Sequence, residues 1–209
     1  AEELYKDIRK VVLHQQELFE SCYLHLTQQL INEGIYLVDE HTITPSLTKQ
    51  VSQYFKETFK HMLFPIILDK KAAFPDLRDD AIYLAIKIQK KGVANRYAIL
   101  QIPPGKARFH VMTEGKDSFF ILADDIIRLH LSNIFSMLPS DKISAYTFKF
   151  TRDSELDLDD DVSQSYSEKI ERSLKKRKKG TPVRFVYDEF MPEDLLVYLL
   201  NCLELKKAT

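Results

Sequence analysis

The sequence predicts an α+β fold: one long N-terminal helix, then a mixed β-sheet domain with helices packed on it. Three observations predict it. Residues 1 to 32 repeat apolar positions at three- and four-residue spacing, with Leu4, Ile8, Val11, Leu18, Cys22 and Leu26 on one stripe, before Gly34 stops the pattern. From Ala81 onward, short runs rich in β-branched and aromatic residues are separated by turn signals. The longest of these, Ile143 to Asp153, alternates Tyr146, Phe148 and Phe150 against Ile143, Ala145, Thr147 and Lys149. Hairpins mixed with helical crossovers give the α+β class.

Taken in order, the first helix runs for roughly nine turns, long for a compact domain and expected of a bundle helix without its partners. No capping residue precedes Glu2 and Leu4, so the chain is expected to be a piece of a longer one. Ile35–Val38 predicts a short strand. Thr44-Pro45 reads as an N-cap with proline at the first helical position, opening a helix through Leu47, Val51, Phe55, Phe59 and Met62 to the break at Phe64-Pro65. Ala81–Ile88 and Arg96–Ile102 form a hairpin around Lys90–Asn95, and Arg108–Met112 and Phe119–Leu122 follow as strands. Asp124 is expected to cap one helix through Phe135. After the strand from Ile143, Val162–Lys179 predicts a charged helix, Val183–Tyr187 a last strand, and Pro192 the start of a terminal helix.

Composition excludes several classes. The net charge of -1 gives no global reason for a nucleic-acid or anionic-membrane partner. No apolar run approaches a membrane span, and no signal peptide opens the chain. The two cysteines, Cys22 and Cys202, form no CxxC and have no histidine pair at ligand spacing, which argues against zinc and for a reduced, intracellular setting.

The chemistry-bearing residues are few. There is neither GxxxxGK[ST] nor GxGxxG, so no phosphate loop of either kind is expected. Of the six histidines none has a neighbouring triad pattern, and most are expected on helix surfaces, so a catalytic histidine is not expected. The run Asp153–Asp161 fails as a calcium loop, since Leu158 stands where glycine is needed and Gln164 where the bidentate glutamate belongs. The basic cluster Arg172 to Lys179 suits the C-terminal end of its helix dipole; its other reading is a docking patch for a polyanion. At the end of the long strand, Lys149 and Arg152 present cations at a sheet rim, with Asp153 beside the arginine. A surface ion pair between Arg152 and Asp153 is the plain alternative.

Several blocks in sequence carry a resemblance: Phe74-Pro-Asp-Leu-Arg-Asp-Asp-Ala-Ile-Tyr-Leu-Ala, Arg96–Pro103, Leu122-Ala-Asp-Asp-Ile-Ile-Arg128, Tyr146–Glu155, and Pro182–Tyr187 with Met191-Pro192. Together they resemble bacterial polyphosphate kinase of the long-chain-synthesising type, over essentially the whole chain. The resemblance implies that residues 1–34 are the last helix of an N-terminal helical domain. Residues 35–209 would then be the middle (head) domain, similar in fold to phosphohistidine phosphatase. It implies a cytoplasmic parent, able to sit peripherally at the inner membrane, that reversibly transfers the terminal phosphate of ATP to polyphosphate with magnesium and a phosphohistidine. The phosphorylated histidine and the ATP- and metal-holding residues belong to other domains of that family, so no catalytic residue, cofactor or metal is expected within this chain. The implied partners are the remaining domains of the same chain, a second subunit of a homodimer, and polyphosphate, whose path would pass Lys149, Arg152 and Asp153. Two rivals are a stand-alone phosphatase using His110 and a pure protein-interaction module.

Overall fold

The computed structural model describes residues 2–69, 72–79, 81–152 and 182–205. The chain divides into two compact units, one of residues 1–55 and 107–126, the other of 56–106 and 127–209.

In the first unit, helix α1 spans Glu2–Asn32. Gly34, at φ +71°, turns the chain into strand β1, Ile35–Val38. Thr44 does cap helix α2, Pro45–Thr58: its Oγ1 accepts from the Leu47 N–H at 3.3 Å. Strands β5 (Phe109–Glu114) and β6 (Asp117–Leu122) form a tight hairpin, and β1 runs parallel to β6, giving the order β1-β6-β5. Strand alternation puts Tyr36, His110, Met112, Phe119 and Ile121 on one face and Leu37, Phe109, Val111 and Phe120 on the other. The first face receives α2, whose Tyr54 ring lies 3.8 Å from that of His110.

The second unit is built on a wholly antiparallel sheet in the order β2-β4-β3-β7-β8. Its strands are β2 (Ile66–Leu68), β3 (Tyr83–Lys90), β4 (Val93–Gln101), β7 (Lys142–Arg152) and β8 (Pro182–Tyr187). The central strand β3 is buried along most of its length, as its continuous apolar run requires. Helix α5, Glu193–Cys202, covers one face: Leu195, Leu196 and Leu199 pack with Tyr83, Ala85, Ile99, Phe148 and Phe150. Helix α3, Ala123–Leu129, and the short α4, Leu131–Ile134, precede β7 in the chain. Arg128 fastens this segment to β7 by donating from Nε to the Ala145 carbonyl (3.2 Å) and from Nη2 to Thr147 Oγ1 (2.5 Å).

Several expectations need correction. A single mixed sheet was expected; among the described residues there are two, of which the three-stranded one is mixed and the five-stranded one antiparallel. Helix α2 stops at Thr58, because Phe59–Met62 closes a turn through a 2.8 Å bond from the Met62 N–H to the Phe59 carbonyl. The apolar residues beyond it then form β2, which the sequence did not announce. The β3–β4 turn is only Lys91-Gly92, with Gly92 at φ +77°. One helix over 124–135 is two, broken at His130, and Asp124 lies within α3 rather than capping it. His130 is buried, not on a helix surface. Pro192 occupies the N-cap of α5, one position before the first helical residue. The expected helix over Val162–Lys179, its basic cluster and the acidic run from Asp153 lie outside the described residues.

Candidate functional site

The end of β7 carries the residues that the sequence nominates. β7 pairs with β8 in regular register through Thr151 opposite Arg184, and the register then shifts so that Arg152 comes opposite Pro182. Such an irregularity at a strand end re-aims the side chain that follows it. The guanidinium carbon of Arg152 sits 4.9 Å from the centroid of the Phe150 ring, itself buried. From there its nitrogens reach back across the sheet to the Phe74–Asp79 loop. Nη1 donates to the Leu77 carbonyl at 2.8 Å and to Asp79 Oδ1 at 3.2 Å, and Nη2 donates to Asp76 Oδ1 at 3.4 Å. The Arg152 side chain keeps only 15% of its surface in solvent, against 73% for Asp76.

Arg152 is therefore paired with Asp76 and Asp79, residues remote in sequence; its neighbour Asp153 lies outside the described residues. Lys149 sits opposite Val186 and is exposed. By strand alternation it points to the other side of the sheet from Phe150 and its cation partner. The strand end thus does not gather Lys149 and Arg152 into one cradle. One cation is held by two carboxylates and the other is offered to solvent.

Beside Asp76 opens a cleft of about 370 Å³, with Met62, Phe64, Pro103 and Pro104 among its walls. No lysine or arginine is among the described residues that line it. Its apolar walls and single carboxylate make it a poor seat for a polyanion.

Two further polar clusters brace the second unit, and sequence reading missed both. Asp194, in the first turn of α5, accepts from Lys87 Nζ (2.7 Å), Tyr97 OH (2.9 Å) and Asn95 Nδ2 (3.2 Å). Burial pushes the Asp194 carboxyl up, but the hydrogen bonds from Lys87, Tyr97 and Asn95 and the charge of Lys87 outweigh it and lower its pKa below the ordinary value. Burial first, then the bond to Asp194, pushes the Tyr97 phenol up to about 12. The other cluster adds Asp188 to Arg128, at 3.8 Å. An acid two residues after Pro192 was the one local hint of the first cluster; the strand residues that meet it gave none.

His110 is half-buried, with one ring face against Tyr54, and burial lowers its pKa. Among the described residues no three His, Cys, Asp or Glu side chains converge as a metal site would require. Among the described residues no helix is long and apolar enough to cross a membrane.

The fold and the strand end define a class: an α+β module with a braced antiparallel sheet and a charged strand-end cluster. Residues 47–209 match the model of the polyphosphate kinase middle domain, and the chain belongs to that family. It is 34% identical over 209 residues to the polyphosphate kinase of Vibrio vulnificus strain YJ016, covering 97% of this chain and 29% of that protein. Against the polyphosphate kinase of Escherichia coli K12 it is 32% identical over 206 residues, covering 96% and 30%. The crystal structure of polyphosphate kinase from Porphyromonas gingivalis superimposes with a TM-score of 0.72 at 24% identity, over 96% of this chain and 28% of that one, which shows the fold. The chain thus spans under a third of the length of these relatives.

Proposed function

We propose that this chain is the non-catalytic middle module of a longer polyphosphate kinase, whose whole reversibly transfers the terminal phosphate of ATP to inorganic polyphosphate. In this reading the reaction's ATP, magnesium and phosphohistidine are held by other domains. Residues 1–34 belong with a preceding helical domain, which agrees with the exposure of Leu4, Ile8, Val11, Phe19 and Leu24 along α1. The module helps assemble a homodimer and walls the tunnel that the polymer follows. A fold like that of phosphohistidine phosphatase and a cytoplasmic location belong to the same reading.

The observation that supports a polymer path at the strand end is the exposed ammonium of Lys149 on β7. Arg152 serves that path differently: with its guanidinium committed to Leu77, Asp76 and Asp79, it fixes the loop that forms the rim.

The test is the full-length protein with labelled long-chain polyphosphate, followed by anisotropy at several salt concentrations. Lys149→Ala is expected to weaken binding and to lower the slope of log affinity against log salt by roughly one contact's worth, ~0.7–0.9. An unchanged affinity and slope would remove Lys149 from the path. Loss of binding only on neutralising Lys175–Lys179 would move the path to that segment.

A further inference from the structure

Among the described residues, four strands close the edges of the two sheets: β1 and β5 in one, β2 and β8 in the other. Native sheets blunt such edges with short strands, prolines or charges, because unpaired main-chain groups there invite another strand. Three of the four are blunted. β1 has four residues, β2 has three and follows Pro65, and β8 begins at Pro182 and carries Arg184 mid-strand. β5 is not. Its six residues, Phe109-His-Val-Met-Thr-Glu114, hold no proline and no formal charge before the last. That is about 20 Å of strand.

The side chains on the outer face repeat the signal. Phe109 and Val111 are each 50% exposed and Leu37 is 41% exposed. Register places Leu37, Phe120 and Val111 opposite one another, so an apolar row crosses the whole three-stranded sheet and ends at the β5 edge.

From these features we infer that β5 pairs with β5 of a second copy of this chain, antiparallel about a two-fold axis at Val111. This rests on, and specifies, the reading that the parent protein is a homodimer. Side-chain parity selects the register. Pairing that joins odd positions to odd ones keeps the outer faces together, whereas a slip of one residue turns the apolar row of one copy toward the inner face of the other. With Val111 opposite Val111 of the partner subunit, Phe109 meets Thr113 of the partner subunit. Arg108, which already donates from Nη2 to Asp124 Oδ2 of its own chain at 3.1 Å, stands opposite Glu114 of the partner subunit at both ends of the ladder, so that opposite charges face each other there. The row Leu37–Phe120–Val111 then runs on into its own symmetry mate, and the three-stranded sheet becomes six-stranded. An isologous contact of this kind closes on itself and builds no fibre.

The experiment uses the full-length protein. Sedimentation velocity over a concentration series gives the dimer constant, and hydrogen exchange reads the β5 amides on either side of it. The expected result is a dimer in which alternate amides of 109–114 are protected only above the association range. Val111→Lys, which sets two ammonium groups opposite each other on the axis, should raise the dimer constant at least ~30-fold. Because Val111 is half exposed in the single chain, the variant should keep its far-ultraviolet spectrum and melting profile. Should it not, Thr113→Lys, at an exposed position, makes the same test. A dimer whose constant neither variant moves overturns this surface and leaves the homodimer standing. A monomer at every concentration overturns both. Protection of β5 that ignores concentration means another part of the same chain occupies the edge, and also overturns the inference.

Discussion

Replacing Arg152 by alanine should loosen the Phe74–Asp79 loop far more than the loss of one surface ion pair would. The bond to exposed Asp76 is long and largely solvated, and counts for little. The bonds to Asp79, 30% exposed, and to the Leu77 carbonyl involve a guanidinium that is 15% exposed, where charge-assisted hydrogen bonds are worth about 1.5–3 kcal/mol each. The substitution also strips the cation from the face of Phe150, a further 0.5–1 kcal/mol or so. Allowing water to enter and satisfy the freed carbonyl, a net local loss of about 2–4 kcal/mol is expected, which is roughly a 30- to 800-fold larger opening constant. Native-state hydrogen exchange reads this directly at the Arg78 N–H, which donates to the Tyr83 hydroxyl at 2.7 Å within the same loop. Lys149→Ala is the control, since an exposed side chain should change stability by less than about 0.5 kcal/mol. A change below about threefold at Arg78 in Arg152→Ala would refute the reading of Arg152 as a clamp and return it to the role of a free cation.

Tyr97 should make the second unit sensitive to alkali. Its phenol is raised from the ordinary value of 10 to about 12, so the stabilisation is complete below pH 10 and is lost as pH rises from there through about 12. Tyr97→Phe should flatten that part of the alkaline denaturation curve, followed by circular dichroism. Leu195→Ala removes a fully buried side chain between α5 and the sheet and should cost about 2–5 kcal/mol, read as a lowered calorimetric transition. Gly34→Ala should destabilise the α1–β1 junction by about 1–2 kcal/mol, because φ of +71° penalises a side chain and its Cβ would stand 2.8 Å from Asp117 Oδ1. Faster exchange at Ser118, whose N–H donates to the Gly34 carbonyl at 2.8 Å, checks it.

What the sequence disclosed was what local pattern can carry. The alternation in Ile143–Arg152 marks β7, the continuous apolar run marks β3 as central, and Thr44-Pro45 marks the start of α2. The failures lie where local pattern is ambiguous or silent. Phe59–Phe64 is apolar enough to extend a helix up to the break at Pro65; the turn at Phe59–Met62 ends it earlier, and the pairing of Ile66 with Ile99 makes the residues after the proline a strand. Val93–Asn95 reads as loop by composition, but the two-residue turn at Gly92 pulls it into β4. Nothing local says that Ile35 lies beside Ser118, and that parallel pair is what makes two sheets of the expected one.

The strand end shows the same limit in its chemistry. Reading along the chain, Asp153 is the obvious partner for Arg152, since the two are adjacent. Asp153 lies outside the described residues, and the partners that the fold brings to Arg152 come from far away in sequence. The loop bearing Asp76 and Asp79 is brought to Arg152 by the pairing of Tyr83 with Phe148, which sets the start of β3 against the end of β7. A cation placed between two carboxylates and over an aromatic ring is pre-committed, and a passing phosphate must displace those partners before it can bind. An exposed lysine carries no such cost. In the reading proposed above, electrostatics therefore give any polymer-facing role at this strand end to exposed Lys149, while Arg152 keeps the rim in shape.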